Sequence, residues 1–402
     1  MSEIYLDYNA SAPVRPEVSE AVRDALDARY GNPSSIHRPG HRAKVLLEKA
    51  RRSVAELVGA EPEDIVFTSG GTESNNLALY GVALAHGAGH LIVTALEHSS
   101  VLEPALDLER RGYRLSRIPP DSQGCVAPEA ILCELTGGTF LISLMHSNHE
   151  VGTLQEVRLV SEGLRGHPSL LHCDAVQSLG KVPLSVRVLG ADLVSLSSHK
   201  IGGPAGVGAL WIRPEARLEP LLRGGGQETN RRAGTQALSL IAGFGVAARM
   251  AREEADSEEV RLGCLRDRLE ERLVEAFPSV RFHGRARARL PGTSNFALPG
   301  FRGEELVTAL DLEGVAVSTG SACAVGTLRP SHVLQAMGCP PEEAEASLRV
   351  SFGYRSREAD VDLFLAALAR IAARRGRTIR KTTRLDPDAP VTTGPHVGEG
   401  RR

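Results

Sequence analysis

The sequence contains little lysine, few aromatic residues and no long apolar run. Lysine occupies five of the 402 positions, and aromatic residues make up 4% of the chain. Because no stretch of about 18 apolar residues occurs, we expect no membrane-spanning helix. The first eight residues lack the basic and apolar segments of a secretory signal peptide. We therefore expect a cytoplasmic protein with no membrane partner.

An excess of charge of either sign is also missing. The 47 Lys and Arg residues nearly balance the 49 Asp and Glu residues, which gives a formal net charge of −2. This balance provides no basic surface, so we expect no direct nucleic-acid partner. The chain is 42% hydrophobic and 24% charged, and its length is sufficient for two lobes or domains with a substantial core.

The six cysteines are not spaced for metal or disulfide chemistry. None forms a Cys-x-x-Cys pair, and a chain of this size does not depend on disulfides to hold its core. We therefore predict no metal site and expect free thiols, most of them small buried hydrophobic residues.

Short apolar segments alternate with amphipathic helical segments through most of the chain, which indicates an α/β fold with a mainly parallel sheet. After a polar stretch near 253–259, the pattern changes to that of a smaller α+β unit. We predict a large domain at 14–257 and a small domain made of 1–13 and 258–375. The predicted strands of the large domain are 64–68, 90–94, 139–145, 170–174 and 193–196.

The polar stretch also predicts a helix boundary. One helix, 238–255, is expected to end there, and a second, 259–276, to begin after it. Residues 376–402 are rich in Pro, Gly, Thr and charge, a composition typical of a disordered tail. Six basic residues and no acidic residue lie from Arg374 to Arg384. This segment fits either a solvated tail or a docking element.

Polar side chains follow the predicted strands, at the edge of the sheet where open α/β folds bind ligands. Gly71 and Thr72 follow the first strand and open a helix, which suits a phosphate group as well as an ordinary helix cap. His98 and Asp174 follow two other strands, and a carboxylate at the end of an apolar strand needs a cation or serves as a cap. Lys200 is the only lysine at such a strand end.

Together these residues match the requirements of one cofactor. Pyridoxal 5'-phosphate needs a lysine for a Schiff base, an acid beside its ring nitrogen and a phosphate cup. Lys200, Asp174 and the Gly71-Thr72 turn supply these groups, and the His98 ring can stack on the cofactor. The combination is far more specific than any of its members, and it predicts a pyridoxal-phosphate enzyme.

Ten short stretches in a fixed order form a recognisable pattern, at 5–10, 31–37, 69–76, 97–98, 173–178, 198–200, 224–228, 232–235, 321–323 and 348–351. Through these stretches, the chain resembles the cysteine desulfurases of the class V aminotransferase group over residues 4 to about 373. The resemblance implies a fold type I pyridoxal-phosphate enzyme, a homodimer that converts L-cysteine to L-alanine and a protein-bound persulfide.

The resemblance assigns roles to individual residues. It implies that Lys200 forms the Schiff base, that Asp174 pairs with the ring nitrogen and that Gln177 reaches the phenolic oxygen. His98 is implied to stack on the ring and to move protons. The other implied contacts are those to the phosphate, from Gly71, Thr72, Ser197, His199 and the partner subunit's Thr235, and those to the substrate, from Asn9, Asn32 and Arg349.

Cys323 decides which reaction the resemblance implies. It lies in a glycine-flanked segment of small residues, 318–327, that has little bulk to bury a structural cysteine. A mobile loop lets a thiolate visit the substrate and carry sulfur outward, and His98 is the implied activator of a thiol whose ordinary pKa is about 8.5. The long loop resembles the type that serves iron–sulfur cluster assembly and tRNA thiolation, with a sulfur-acceptor protein docking near Cys323.

His149 departs from the family pattern, which has an asparagine at the position that meets the cofactor. Either His149 donates the same hydrogen bond, or it adds an acid–base group or reshapes the pocket for another substrate. Alternatives for the whole chain are a selenocysteine lyase, another class V aminotransferase or lyase, and a non-catalytic cofactor-binding or scaffold protein.

Overall fold

The computed structural model describes residues 4–28, 30–319 and 331–375. Its strands are β1 Ile4–Tyr5, β2 Ile65–Thr68, β3 His90–Thr94, β4 Arg114–Ile118, β5 Thr139–Ser143, β6 Leu170–Asp174, β7 Leu193–Ser197, β8 Gly208–Ile212, β9 Arg281–His283, β10 Thr293–Ala297, β11 Val315–Ala316 and β12 Ser347–Ser351. Its α-helices are α1 Pro16–Asp27, α2 Arg38–Val58, α3 Gly71–His86, α4 Ser99–Arg110, α5 Pro128–Leu132, α6 Val157–Gly163, α7 Val186–Leu189, α8 Leu238–Ala276, α9 Gly303–Leu312, α10 His332–Ala336, α11 Pro341–Glu345 and α12 Glu358–Arg374.

A seven-stranded sheet in the order β2-β8-β7-β6-β5-β3-β4 forms the centre of the larger part. The strands from β7 to β4 pair in parallel, and β8 is antiparallel to both of its neighbours. This confirms the predicted α/β fold with a mainly parallel sheet. Because β2 and β7 both pair antiparallel with β8, they run in the same direction, and the carboxyl end of β2 lies at the same sheet edge as those of β3, β5, β6 and β7.

The central sheet is covered on both faces, as parallel sheets are. Successive residues of a strand point to opposite faces, so Leu91 and Val93 pack on one side and Ile92 on the other. Every residue of β3, β5 and β7 is buried, which explains why apolar residues predominate in these strands.

A separate apolar core holds the smaller part together. It forms around the antiparallel sheet β12-β10-β9, with Phe296, Leu348 and Phe364 among its buried residues. The N-terminal segment joins this part because β1 pairs in parallel with β11. The chain thereby brings residues that follow β1 next to β12.

The structure has one helix, α8, where the sequence predicted two. Phe244 in its first half belongs to the core of the larger part, and Leu265 in its second half to the core of the smaller part. The acidic residues between them form a solvated helical surface, and Glu253 pairs with Arg249 one turn earlier at 2.9 Å. The predicted boundary at residues 257–258 lies inside α8, between the two cores.

Within the described ranges, no helix is long and apolar enough to cross a membrane. The predicted tail, 376–402, lies outside the described residues, and so does most of the basic stretch that begins at Arg374.

Candidate active site

Five predicted site regions meet at one edge of the central sheet. Gly71 follows β2, His98 follows β3, His149 follows β5, Asp174 ends β6 and Lys200 follows β7. Because the carboxyl ends of these strands lie at a common edge, the fold brings together residues that are up to 129 positions apart in the sequence.

The turn between β2 and α3 forms a cradle for an anion. The backbone N–H groups at the start of a helix attract negative charge. A Cβ atom built on Gly71 would lie 2.8 Å from Val176 Cγ2 and 3.6 Å from Ser197 Cβ, so glycine permits this close approach. Ser197 Oγ is buried and has no hydrogen-bond partner among the described residues. An unsatisfied hydroxyl beside a helix N-terminus suits a phosphate oxygen.

The two further predicted phosphate contacts, Thr72 and His199, lie within two residues of Gly71 and Ser197 in the sequence. Thr72 is an exposed residue in the first turn of α3. Burial, followed by the charges of Lys200 and Lys181, lowers the pKa of His199 to about 4. The imidazole of His199 is therefore neutral near pH 7 and can still donate one N–H group.

A chain of hydrogen bonds connects Asp174 with His98. Asp174 Oδ2 accepts a hydrogen bond from Asn75 Nδ2 at 2.7 Å, and Asp174 Oδ1 accepts one from the Val176 N–H at 3.0 Å. Asn75 Nδ2 also donates to Ser100 Oγ at 2.8 Å, and that hydroxyl lies 2.8 Å from His98 Nδ1. Burial lowers the pKa of His98 more than the charge of Asp174 raises it. His98 is therefore a neutral imidazole near pH 7.

The N-terminal segment approaches this edge and contacts two of the predicted residues. Lys200 Nζ donates hydrogen bonds to the carbonyl oxygens of Asn9 at 2.6 Å and Ala10 at 2.9 Å. Gln177 Nε2 donates to the same Asn9 oxygen at 2.8 Å. The predicted lysine, glutamine and Asn9 therefore form one contiguous group.

Arg349 of β12 is almost completely buried, with 2% of its surface exposed. Its Nη2 donates to Asp7 Oδ1 at 2.7 Å, and its Nη1 donates to the His149 carbonyl oxygen at 3.0 Å. The Nε atom is buried without a partner in the described structure. The guanidinium is thus fixed at the site with an unused donor, which suits recognition of a carboxylate.

His149 lies between His98 and Arg349. Its ring meets that of His98 edge to face, with the centroids 5.3 Å apart. Its Nε2 atom lies 3.6 Å from Glu150 Oε1, and its buried Nδ1 atom has no partner among the described residues. Burial, and then the charges of His98 and Arg349, lower the pKa of His149 well below its ordinary value. A neutral imidazole with an unsatisfied nitrogen is therefore available to the ligand.

Both described ends of the segment that carries Cys323 are fixed at this site. Ser318 and Arg349 exchange two backbone hydrogen bonds of 2.7 and 3.3 Å. On the other side, the Ser331 hydroxyl donates to the buried carboxylate of Glu150. Cys323 itself lies outside the described residues.

The structure does not bring two of the predicted residues into this group. Asn32 is exposed, and its Oδ1 accepts a hydrogen bond from the Ser34 N–H at 2.9 Å. Thr235 is also exposed. In the described part of the chain, neither residue hydrogen-bonds to another predicted site residue. The roles of Asn32 toward the substrate and of Thr235 toward a partner subunit therefore stay predictions.

Two residues that contact the predicted groups had no role assigned from the sequence. Asn75 orients Asp174, and it could have been found in the stretch 69–76 that supports the resemblance. Lys181 donates to the side chains of Gln177 and Asn9, and its position four residues after Gln177 was the available signal.

The donor set fits pyridoxal 5'-phosphate. Lys200 would supply the amine for the covalent link and Asp174 the carboxylate. The Gly71 turn, with a Ser197 hydroxyl that has no partner in the described part of the chain, would supply the phosphate cradle. The remaining side chains, His98, His149 and Arg349, supply a neutral ring, an unsatisfied nitrogen and a fixed cation. This arrangement can hold an amino acid and move a proton at its Cα atom.

Comparisons with known proteins agree with this arrangement. The aminotransferase class-V family model matches residues 4–364. The cysteine desulfurase IscS of Dictyoglomus turgidum is 43% identical over 371 residues, which cover 92% of this chain and 94% of that protein. The solved structure of a NifS-like protein aligns with a TM-score of 0.87 at 35% identity, covering 92% of this chain and 99% of that chain. A structure of SspA in complex with cysteine aligns with a TM-score of 0.77 at 34% identity, covering 87% of this chain and 98% of that chain.

Proposed function

The chain belongs to the class-V aminotransferase family and is a pyridoxal-phosphate-dependent cysteine desulfurase, and from this premise we propose that Lys200, His98 and Cys323 are its catalytic residues. The overall reaction converts L-cysteine to L-alanine and leaves the sulfur on the enzyme as a persulfide. The observation that carries the proposal is that both described ends of the Cys323 segment are hydrogen-bonded to residues of the site, at Arg349 and Glu150.

The residues at the sheet edge hold the cofactor in this proposal. Lys200 forms the covalent link, Asp174 pairs with the ring nitrogen and Gln177 donates to the phenolic oxygen. When bound, the cofactor supplies an electron sink for the negative charge that develops at the substrate Cα atom. The phosphate and the remaining cofactor atoms are held by Gly71, Thr72, Ser197, His199, His149 and the partner subunit's Thr235.

Arg349 and Lys200 act on the amino acid. Arg349 binds the substrate carboxylate, because its guanidinium is fixed by Asp7 and by the His149 carbonyl while its Nε has no partner within the described ranges. Asn9 and Asn32 are the further proposed substrate contacts. When it is not linked to the cofactor, the Lys200 amine takes the proton from the substrate Cα atom, and its hydrogen bonds to the carbonyl oxygens of Asn9 and Ala10 hold the free amine at the site.

Cys323 takes the sulfur. His98 accepts the thiol proton of Cys323, which is consistent with the neutral imidazole that its lowered pKa implies. The thiolate attacks the substrate Sγ atom and forms a sulfur–sulfur bond, while the substrate Cβ–Sγ bond breaks and its electron pair stays with the carbon fragment. That fragment gains a proton at Cβ, regains the Cα proton from Lys200 and leaves as L-alanine, so the sulfur is the only group left on the enzyme.

The persulfide is proposed to pass to an acceptor protein that docks near Cys323. The long segment around Cys323 resembles that of desulfurases that supply iron–sulfur cluster assembly and tRNA thiolation, and we propose these pathways and a cytoplasmic location. We also propose a homodimer, because the resemblance assigns Thr235 to the phosphate of a partner subunit and Thr235 is exposed in its own chain. Light scattering should give about twice 42.9 kDa, and an active protein of 42.9 kDa would contradict the shared site.

The test of this proposal is to locate the sulfur after a brief exposure to L-cysteine. Alkylation, digestion and mass spectrometry should place one extra sulfur atom on the peptide that contains Cys323, and Cys323→Ser should carry none there. The expectation that most cysteines are buried is wrong for the five described ones, of which only Cys173 is buried. The exposed thiols of Cys133 and Cys264 are internal controls for non-specific sulfur transfer. Sulfur found mainly on either control peptide would refute the assignment of Cys323.

A further inference from the structure

Lys181 joins two residues of the site but has no assigned part in the reaction. Its Nζ atom donates hydrogen bonds to Gln177 Oε1 at 2.9 Å and to Asn9 Oδ1 at 3.0 Å. The side chain is half-buried, and its amine lies deep enough that burial, followed by the charges of Lys200 and Arg349, lowers its pKa well below the ordinary value. Such an environment is costly for an amine, so the two hydrogen bonds require an explanation.

The turn after β6 places Lys181 at this position. Gly180 has a φ of +64°, and a Cβ atom there would lie 2.8 Å from Ala251 Cβ on α8. Only glycine adopts this conformation at no steric cost and tolerates this approach of α8. The chain can therefore turn at Gly180, and the Lys181 side chain returns to Gln177.

Lys181 determines the orientation of the Gln177 amide. An amide side chain has a donor end and an acceptor end, whereas the N–H groups of a lysine amine are donors. Since Lys181 donates to Oε1, the Nε2 end of Gln177 faces the opposite way and donates to the Asn9 carbonyl. Rotating the Gln177 amide by half a turn would place its N–H groups against the Lys181 N–H donors and its own oxygen against the Asn9 carbonyl oxygen. Both hydrogen bonds would then be lost.

Lys181 fixes Asn9 in the same way. With Asn9 Oδ1 held by Lys181, Asn9 Nδ2 donates to Thr293 Oγ1 at 3.0 Å and to the His149 carbonyl at 3.3 Å. The backbone carbonyl of Asn9 accepts the hydrogen bond from Lys200 Nζ. The Lys181 amine therefore orients the Nε2 end of Gln177 and also fixes Asn9, whose backbone carbonyl accepts a hydrogen bond from Lys200.

We propose that Lys181 is a positioning residue for the desulfurase reaction, which orients Nε2 of Gln177 toward the cofactor's phenolic oxygen and holds the Asn9 carbonyl at Lys200. The inference rests on the proposed function for the roles of Gln177 and Lys200. Lys181 acts through these two residues and has no contact with the reacting atoms.

The test compares holoenzymes of Lys181→Met, Gln177→Leu and the double variant. Methionine keeps the length of the side chain and removes its N–H donors. Lys181→Met should shift the visible absorption band of the cofactor in the same direction as Gln177→Leu, because both variants weaken the hydrogen bond to the phenolic oxygen. It should also lower kcat about three- to tenfold, as expected for one lost orienting hydrogen bond. Lys44→Met, at an exposed position of α2, is the matched control and should change neither quantity.

The double variant shows whether Lys181 acts through Gln177 or whether its substitution simply damages the structure. In the Gln177→Leu background, Lys181→Met should produce no further shift of the band and less than its single-variant effect on kcat. If Lys181→Met does not accumulate as folded protein, Lys181→Gln, which keeps N–H donors on a shorter side chain, should show a smaller shift in the same direction. An unshifted band in the folded variant, or effects that simply add in the double variant, would overturn the proposal.

Two separate measurements distinguish a wrong role for Lys181 from a wrong proposed function. The wild-type holoenzyme reports whether L-cysteine is turned over, and the absorption band reports on Gln177 in the absence of substrate. Borohydride reduction should attach the cofactor to Lys200 in both the wild type and Lys181→Met. Attachment to Lys181 in the wild type would contradict the positioning role.

Discussion

The segment Gln227–Asn230 combines a strained backbone with a buried ion pair between Glu228 and Arg51. Glu228, Thr229 and Asn230 have φ values of 44°, 56° and 62°, and left-handed backbone costs a non-glycine residue about 1–2 kcal/mol. The Glu228 carboxylate accepts hydrogen bonds from Arg51 Nη1 and Nη2 at 2.7 and 2.9 Å and from the Phe67 N–H at 2.9 Å. We infer that these contacts hold the strained segment in place.

Glu228→Gln should therefore destabilise the protein strongly. The side chains of Arg51 and Glu228 are 9% and 1% exposed. The substitution leaves the buried Arg51 charge with only the more exposed Glu48 carboxylate, 3.2 Å from its Nε, at a cost of up to about 3–5 kcal/mol. The unfolding entropy for a cooperative chain of this length is about 0.84 kcal/mol/K, from about 2.1 cal/mol/K per residue. The expected decrease of the melting temperature is thus up to about 4–6 °C.

Thermal unfolding of the holoenzyme, followed by circular dichroism, measures this decrease. The control is Glu162→Gln, which removes an exposed ion pair with Arg158 on α6 and should cost less than about 1 kcal/mol. Glu228→Gln should also weaken cofactor binding, because Gln236 Nε2 donates to Glu228 Oε1 at 3.1 Å and follows the proposed phosphate contact Thr235. A melting temperature within 1 °C of that of the control (about the 1 kcal/mol limit) would refute the claim that this ion pair holds the segment.

Three further predictions concern the site itself. Lys200→Ala should lose the borohydride-reducible link to the cofactor, as peptide mass spectrometry can show, and reduction onto another lysine would contradict the site assignment. His149→Asn should keep turnover within a few-fold and leave the pH–rate profile unchanged above about pH 6.5, because burial already lowers the pKa of His149 well below its ordinary value and the imidazole is neutral there. His149→Ala should weaken substrate binding by about 1 kcal/mol for one lost hydrogen bond, and an inert His149→Ala would exclude a role for this side chain. Arg349→Lys should raise KM for L-cysteine more than it lowers kcat, because lysine cannot make the bidentate contact, and an unchanged KM would place the substrate carboxylate elsewhere.

Much of the central sheet could be predicted because its strands are buried on both faces. Apolar runs gave β3 and β6 of this sheet with the observed bounds. The strand β4 was missed because it is an edge strand whose residues Arg114 and Arg117 are exposed, so it lacks an apolar signature. The continuity of α8 was missed because an acidic surface on a helix and a polar loop have the same composition.

Only those site residues could be predicted that follow a recognisable strand or belong to a family motif. Lys200, Asp174 and His98 follow strands that the sequence reveals, and the sheet then brings them together. The contacts of Lys181 and Glu228 depend on how distant segments pack, at Asn9 and Arg51, and no local pattern encodes such contacts. The unsatisfied nitrogen of His149 and the hydrogen bonds at Ser318 and Ser331 likewise become visible only in three dimensions.

The central claim, that the protein transfers the sulfur of L-cysteine to Cys323, is tested most directly by following all products of one reaction. Purified holoenzyme is mixed with L-cysteine in the presence of a thiol reductant, and alanine, pyruvate and sulfide are measured together. The account predicts alanine and sulfide in equal amounts from the wild type, and neither from Lys200→Ala or Cys323→Ser. Pyruvate in place of alanine, or full alanine formation by Cys323→Ser, would contradict it.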